Sequence, residues 1–158
     1  QTLRNTGARV GEVVQLKWRD IGVDSILFPA TITKRKLKSR ELFISENFHK
    51  YLMDWSRYWT IYKGRKPTPE DYVFYGRKEG SHITTRSFQL ALQKASLKAK
   101  ISGVSSHSYR RTQLTQLHRK QVPLNVIKSL SGHQSLATLS LYLQVDDREK
   151  REASKLFA

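Results

Sequence analysis

The sequence contains no cysteine, which excludes disulfide bridges and thiolate metal sites, and nothing in it indicates an oxidising compartment. No apolar run approaches the roughly 18 residues that a membrane-spanning helix requires, and no signal peptide is recognisable. Acidic residues are scarce, because 13 Asp and Glu stand against 29 Lys and Arg, for a formal net charge of +16. Such an excess could reflect anionic lipid or acidic proteins, but nucleic acid is the more common partner.

The remaining composition is that of a globular chain. A hydrophobic content of 38% with 27% charged residues, over 158 residues, is enough for one domain with a true core. The chain begins at Gln1 rather than Met, and helix-like chemistry follows almost at once. We therefore expect a single domain over residues 1–158 that is a fragment of a longer protein.

Hydrophobic periodicity predicts a mainly α domain with a small antiparallel β-hairpin sheet, an α+β class. Thr6 is a candidate N-cap for a first helix that carries Val10, Val13, Val14 and Trp18 on one face. Two strands are predicted at 26–33 and 40–44, joined by the basic turn KRKLKSR at 34–40. A short strand is expected at 72–76, and helices at 48–62, 86–100, from about 109, 123–132, 139–143 and 147–157.

The C-terminal stretch from 107 to 146 carries residue types suited to phosphate chemistry. His107 and Arg110 share one face of a helical turn, so both could reach the same phosphate. Tyr142 follows His133 by nine residues, and a tyrosine can attack a phosphodiester where cationic groups absorb the developing charge. Each residue alone has an ordinary explanation: a core tyrosine, a turn histidine, or an HxxR pair arising by chance. Only their joint order and spacing favours covalent DNA chemistry.

The motifs TGARVGEVVQLKWRDI (6–21), HSYRR (107–111) and LSGH (130–133), followed by Tyr142, resemble the boxes of the tyrosine recombinases, or phage integrase family. The four motifs occur in the family's order, with family-like gaps, and the resemblance extends from Arg9 to the C-terminal tail. It implies the tyrosine recombinase catalytic-domain fold. It also implies that the N-terminal core-binding domain of such proteins lies outside this chain.

The resemblance implies a role for each motif residue. Arg9 and Arg110 would clamp the non-bridging oxygens of the scissile phosphate. Tyr142 would attack that phosphate, which gives a 3′-phosphotyrosyl DNA and a free 5′-hydroxyl. His107 would act on the nucleophile's proton or bind the phosphate, and His133 would hydrogen-bond it.

The same resemblance bears on supporting residues, cofactors and partners. Glu12, one helical turn after Arg9, matches an acidic position in the family's first box and would orient catalytic groups. The implied mechanism uses no metal, ATP or other cofactor. The implied partners are double-stranded DNA, further copies that form a homo-tetramer on paired recombination sites, and directionality factors. The expected location is on DNA in the cytoplasm.

The general acid is where the match to the family is loosest. In this family a lysine of the β-hairpin turn protonates the leaving 5′-oxygen. Counting back from Arg40, the commonest spacing falls on Arg35, and a guanidinium is a poor proton donor because it stays protonated. We therefore expect Lys36 to be the general acid, with Lys34 as the alternative. The nearby cations expected to contact the DNA backbone are Lys34, Arg35, Lys38, Arg40 and Arg111.

Two other functions are compatible with these residues. A type IB topoisomerase-like enzyme would use the same tyrosine chemistry to relax DNA rather than to recombine paired sites. A catalytically inactive basic DNA-binding module, such as a decayed integrase, would keep the charge without the chemistry. The presence of every expected catalytic residue type favours an active recombinase over decay.

Overall fold

The computed structural model describes residues 1–33, 38–143 and 147–157 of the chain. Across these ranges it is mainly helical with a two-stranded antiparallel sheet, which confirms the predicted class. The strands are β1 (Ser25–Phe28) and β2 (Arg40–Phe43). The α-helices are α1 (Thr2–Thr6), α2 (Val10–Val13), α3 (Glu46–Lys63), α4 (Thr85–Lys98), α5 (Ser106–Arg119), α6 (Leu124–Ser131), α7 (Leu136–Ser140) and α8 (Asp147–Ser154). None of these described helices is both long and apolar enough to cross a membrane.

The first predicted helix is two short helices instead. Thr6 ends α1, where its hydroxyl donates to the Thr2 carbonyl at 2.7 Å, and Gly7 then reverses the chain with a φ of 59°. The N-cap position of α2 is therefore Arg9, not Thr6. Trp18 lies in a separate 3-10 turn, so the prediction of one continuous apolar face was wrong. The reversal at Gly7 brings Arg9 to the start of a helix.

The sheet is shorter than predicted. β1 ends at Phe28 because Pro29 follows, and a proline cannot donate to the strand ladder. Residues 30–32 form a 3-10 turn, so the predicted strand at 26–33 was too long. Phe28 pairs directly with Arg40 across the sheet. This register fixes the backbone of Arg40 opposite a buried aromatic ring.

The main hydrophobic core lies between the sheet and α3. Phe48 and Leu52 of α3 are buried with Ile26 and Leu42 of the sheet. Ser45 caps α3, since its hydroxyl accepts from the Phe48 amide. Not every aromatic residue of α3 belongs to this core, because Tyr51 and Tyr62 are exposed.

A second, smaller core joins the C-terminal helices. Leu114 of α5, Ile127 of α6 and Leu139 of α7 are buried together, and Tyr142 packs at the edge of this cluster. α6 ends at Gly132, as predicted, with a φ of 67°. α7 begins earlier than predicted because the Ser135 hydroxyl caps it. The tyrosine consequently lies just beyond a helix rather than within one.

Two further predictions need correction. Residues 72–76 form isolated bridges, Lys17 with Tyr72 and Tyr75 with His82, rather than a strand. The helix predicted at 86–100 ends at Lys98, and its Phe88 is partly buried against the main core.

Candidate active site

Four residues of the predicted constellation converge where the two cores meet. Arg9 stands at the start of α2, and Arg110 lies on α5. His133 follows α6, and Tyr142 follows α7. Arg110 is at the centre: it is fully buried, its Nη2 lies 3.2 Å from His133 Nε2, and its Cζ lies 5.7 Å from the centre of the Tyr142 ring.

Backbone carbonyls hold the Arg110 guanidinium in place. Nη1 donates to the Gly7 carbonyl at 2.6 Å, and Nη2 donates to the Ser131 carbonyl at 2.7 Å. Burial, together with the positive charge of Arg9, lowers the pKa of Arg110 to about 10, so the group stays cationic at neutral pH. Within the described residues, its Nε is buried without a hydrogen-bond partner. Because carbonyls rather than carboxylates hold this buried guanidinium, its positive charge is largely uncompensated and can attract an anion.

His133 is buried and neutral. Burial first, then the charge of Arg110, lowers the pKa of His133 to about 4. A guanidinium can only donate, and Arg110 Nη2 lies nearer to His133 Nε2 (3.2 Å) than to Nδ1 (3.4 Å), so Nε2 is assigned as the acceptor and the ring proton to Nδ1. That Nδ1 then donates to the Ser131 hydroxyl at 2.7 Å, whose own proton goes to the Lys128 carbonyl at 3.2 Å. The imidazole orientation is thus fixed from both sides.

Tyr142 is half-buried at the boundary between the second core and this cluster. The centre of its ring lies 5.0 Å from that of His133. Its backbone is held at both ends: the Thr115 hydroxyl donates to its carbonyl at 3.2 Å, and its amide donates to the Leu139 carbonyl at 2.9 Å. Packing in a hydrophobic core therefore explains the contacts of Tyr142 with the second core, but not its approach to His133.

Glu12 forms the centre of a second, adjoining network. Its carboxylate accepts from the Arg9 amide at 3.0 Å and pairs with the Arg9 guanidinium at 3.1 Å. It also pairs with Arg40 Nη2 at 2.9 Å. Burial works to raise the pKa of Glu12, but the Arg40 guanidinium and the Arg9 groups outweigh it, so the pKa is lowered. Glu12 is therefore an ionised, buried anchor for two arginines.

The charges of the site sum to an anion-binding surface. Arg9, Arg40 and Arg110 contribute three guanidinium charges, and Glu12 contributes one carboxylate, with His133 neutral; three minus one leaves two net positive charges. A phosphodiester carries a single negative charge, so the arrangement can bind it and absorb the additional charge of a transition state.

The other predicted residues lie around this centre. His107 is exposed and lines a pocket of about 300 Å³ together with Arg9 and Arg110. Arg9 also lines a cleft of about 760 Å³, together with Lys38 and His133. Arg111 is exposed on α5. The remaining candidates lie outside the described residues: Lys34, Arg35 and Lys36.

Sequence reasoning missed two features of the site. Ser131 orients Arg110 through its carbonyl and His133 through its hydroxyl, and its only signal was its position within the LSGH motif. Arg40 was expected to contact DNA, but its side chain is 9% exposed and faces Glu12. The structure therefore gives Arg40 an internal partner that its basic sequence context did not indicate.

Comparison with known proteins agrees with this geometry. The model of the phage integrase family matches residues 1–149. Tyrosine recombinase XerC of Caldanaerobacter subterraneus subsp. tengcongensis is 26% identical over 152 residues, covering 94% of this chain and 41% of that protein. The crystal structure of XerA recombinase superposes with a TM-score of 0.78 at 25% identity, over 99% of this chain and 55% of that one.

A further structure, XerH recombinase bound to a palindromic difH substrate, superposes with a TM-score of 0.80 at 24% identity. It covers 99% of this chain and 43% of that one. The chain thus spans about half or less of these relatives, and the expected tyrosine recombinase catalytic-domain fold is confirmed. From the match over residues 1–149, together with these likenesses, the chain belongs to the phage integrase family, the tyrosine recombinases.

Proposed function

We propose that residues 1–158 act as the catalytic domain of a site-specific DNA recombinase, which cleaves and rejoins DNA through a covalent 3′-phosphotyrosyl intermediate. The observation that carries the proposal is the placement of Tyr142 against Arg110, a buried cation held by two carbonyls. A phenol has an ordinary pKa near 10, so it becomes a competent nucleophile only beside groups that stabilise negative charge.

The cleavage step is a transesterification at phosphorus. Tyr142 Oη forms a bond to phosphorus, and the bond to the 5′-oxygen breaks. The leaving oxygen keeps the electron pair and takes a proton from Lys36 or, alternatively, from Lys34. The phenolic proton passes to His107, which lines a pocket with Arg9 and Arg110. Attack by the 5′-hydroxyl of a second strand reverses the step and exchanges the strands.

The two arginines would bind the non-bridging oxygens during both steps. Arg9 is partly exposed at a helix start, and the Nε of Arg110 has no partner in the described part of the chain, so both have donor capacity for phosphate. His133 would add a hydrogen bond to the same phosphate once its ring proton lies on Nε2, with the Ser131 hydroxyl then donating to Nδ1. Glu12 would fix the position of Arg9 through its contacts with the Arg9 amide and guanidinium. Catalysis would then rest mainly on preorganised charge rather than on movement of the protein.

The proposed reaction uses no metal ion, ATP or other cofactor. The guanidinium groups supply the charge stabilisation that metal ions supply in many nucleases. The tyrosyl ester conserves the energy of the phosphodiester, so rejoining needs no external energy source.

The proposed substrate is double-stranded DNA at paired sites, with four copies of the protein and directionality factors in the intact assembly. The charge of +16 supports DNA binding. The XerH structure, which carries a difH substrate, supports it by likeness of fold. Exposed Lys38 and Arg111 beside the site would contact the DNA backbone, together with Lys34 and Arg35, whereas Arg40 is turned toward Glu12.

The test uses a pool of duplexes with randomised sequence around a single nick, because the target site is not specified by the chain. Cleavage close to the nick releases a short strand and traps the covalent product. We expect the chain to form a denaturation-resistant adduct in EDTA, and Tyr142→Phe to form none. Sequencing the trapped duplexes gives the site, and pairing two such sites tests recombination. Adducts and plasmid relaxation without recombinant products would indicate a topoisomerase-like activity. DNA binding without adducts would indicate a non-catalytic module.

A further inference from the structure

Arg40 connects three parts of the fold that carry the site. Its Nη2 pairs with Glu12 at 2.9 Å, and its Nη1 donates to the Ser131 carbonyl at 3.3 Å. Its Cζ lies 4.9 Å from the centre of the Phe28 ring, its cross-strand partner. The side chain is only 9% exposed. One guanidinium therefore links the sheet to the start of α2 and to the end of α6.

The end of α6 has the shape that this link requires. A side chain at Gly132 would overlap Arg40 Nη1, and Gly132 also has a left-handed φ of 67°. The Ser131 carbonyl accepts from Arg40 and, at 2.7 Å, from Arg110. The same carbonyl thus joins the two arginines. A glycine here gives Arg40 the room to reach it.

We propose that Arg40 is a positioning residue for the strand-cleavage reaction: it holds Glu12 and the Ser131 carbonyl so that Arg9 and Arg110 meet the same phosphate. This inference rests on the proposed recombinase activity. Arg40 acts through its neighbours, not by contacting the reacting atoms.

The geometry separates this role from a DNA-backbone contact. Both Nη groups of Arg40 already have protein acceptors, and its Nε is buried. Glu12, at 3% exposed, would lose a direct counter-charge without Arg40. A buried carboxylate left with one partner draws more strongly on Arg9, which would otherwise face the phosphate. A displacement of about 1 Å in such a group can slow a reaction about a hundredfold.

The experiment measures adduct formation in single turnover, with protein saturating over a trapped duplex from the nicked pool. The rate constant reports the arrangement of the site, the amplitude reports the folded fraction, and a separate titration reports DNA affinity. The variants are Arg40→Gln, Arg40→Lys, Glu12→Gln and the double variant Arg40→Gln/Glu12→Gln. Arg57→Gln is the matched control, because it removes the same charge from an 80% exposed side chain.

We expect Arg40→Gln to lower the rate constant at least about tenfold, with affinity within about twofold of wild type. Arg40→Lys restores part of the rate, since it keeps the charge but not the planar guanidinium that donates to two acceptors at once. In the Glu12→Gln background, the further loss caused by Arg40→Gln shrinks to about twofold, because both act through one network. Arg57→Gln keeps the wild-type rate constant.

A wild-type rate constant in Arg40→Gln, with only amplitude or affinity reduced, overturns the inference. Fully multiplicative losses in the double variant also overturn it. If Arg40→Gln does not fold, the rate constant of Arg40→Lys is compared with that of wild type, and an unchanged rate constant overturns the inference. Absence of any adduct from the wild-type chain is a different result, because it removes the proposed function on which the inference stands.

Discussion

The guanidinium carbon of Arg110 lies 5.7 Å from the centre of the Tyr142 ring, while both Nη groups are bound to backbone carbonyls. This relationship places a fixed cation beside the proposed nucleophile before DNA arrives. It couples residues 32 positions apart in sequence through the second core, where Leu114 and Leu139 pack together.

The Arg110 contact predicts a large effect of a charge-conserving change. Arg110→Lys cannot bind both carbonyls as a planar fork, so the ammonium will shift away from the phosphate position. We expect the rate constant of adduct formation to fall about a hundredfold to a thousandfold. Single-turnover assays check this, with Arg57→Lys as the control. A loss of less than threefold would show that Arg110 contributes charge without specific geometry.

Glu12 predicts a pH-dependent contribution to stability. Its folded pKa is lowered, so its contribution is present above its ordinary value of 4.5 and is lost as the pH falls through the folded value. We expect Glu12→Gln to reduce the free energy of unfolding by about 3 kcal/mol at pH 7. Urea titrations of both proteins should show the difference shrinking below pH 4.5. A pH-independent difference would contradict the ion-pair account.

His133 predicts a second pH effect, over a higher range. Its pKa falls from 6.5 to about 4 on folding, so the unfolded chain binds the extra proton between these values. Stability from this group is full above 6.5 and is lost as the pH falls toward 4, by at most about 3 kcal/mol. Thermal unfolding of wild type and His133→Asn across this range checks it. The variant should lack this part of the slope, and parallel slopes would refute a neutral buried imidazole.

The exposed cations predict effects on binding rather than on chemistry. Lys38→Gln and Arg111→Gln each remove one proposed phosphate contact, so each should lower the salt slope of DNA affinity by about 1. The loss should be similar for different DNA sequences, because phosphate contacts carry no sequence information. Binding titrations at several salt concentrations test this, and an unchanged slope would place the residue away from DNA.

Hydrophobic periodicity in the sequence predicted the class of fold, and the resemblance to the tyrosine recombinases implied that Arg9, Arg110, His133 and Tyr142 meet at one phosphate. It did not predict the break at Gly7, whose left-handed conformation ends α1 just after Thr6, the residue expected to cap the first helix.

The inward turn of Arg40 was not predictable either. The partner Glu12 lies 28 residues away in sequence, and a basic segment normally indicates solvent or DNA. The role of the Ser131 carbonyl was not predictable, because every residue has a backbone carbonyl and side-chain patterns do not show which carbonyl accepts a hydrogen bond. Identification of the general acid stays a prediction, with Lys36 preferred over Lys34.

The most direct test of the account is to locate the covalent bond. The adduct formed in EDTA on the nicked duplex pool is digested with nuclease and protease, and the nucleotide-bearing peptide is sequenced by mass spectrometry. We predict a nucleotide joined through its 3′-phosphate to Tyr142, and no adduct from Tyr142→Phe. A nucleotide on any other residue, a 5′-phosphate linkage, or an undiminished adduct in Tyr142→Phe would contradict the central claim.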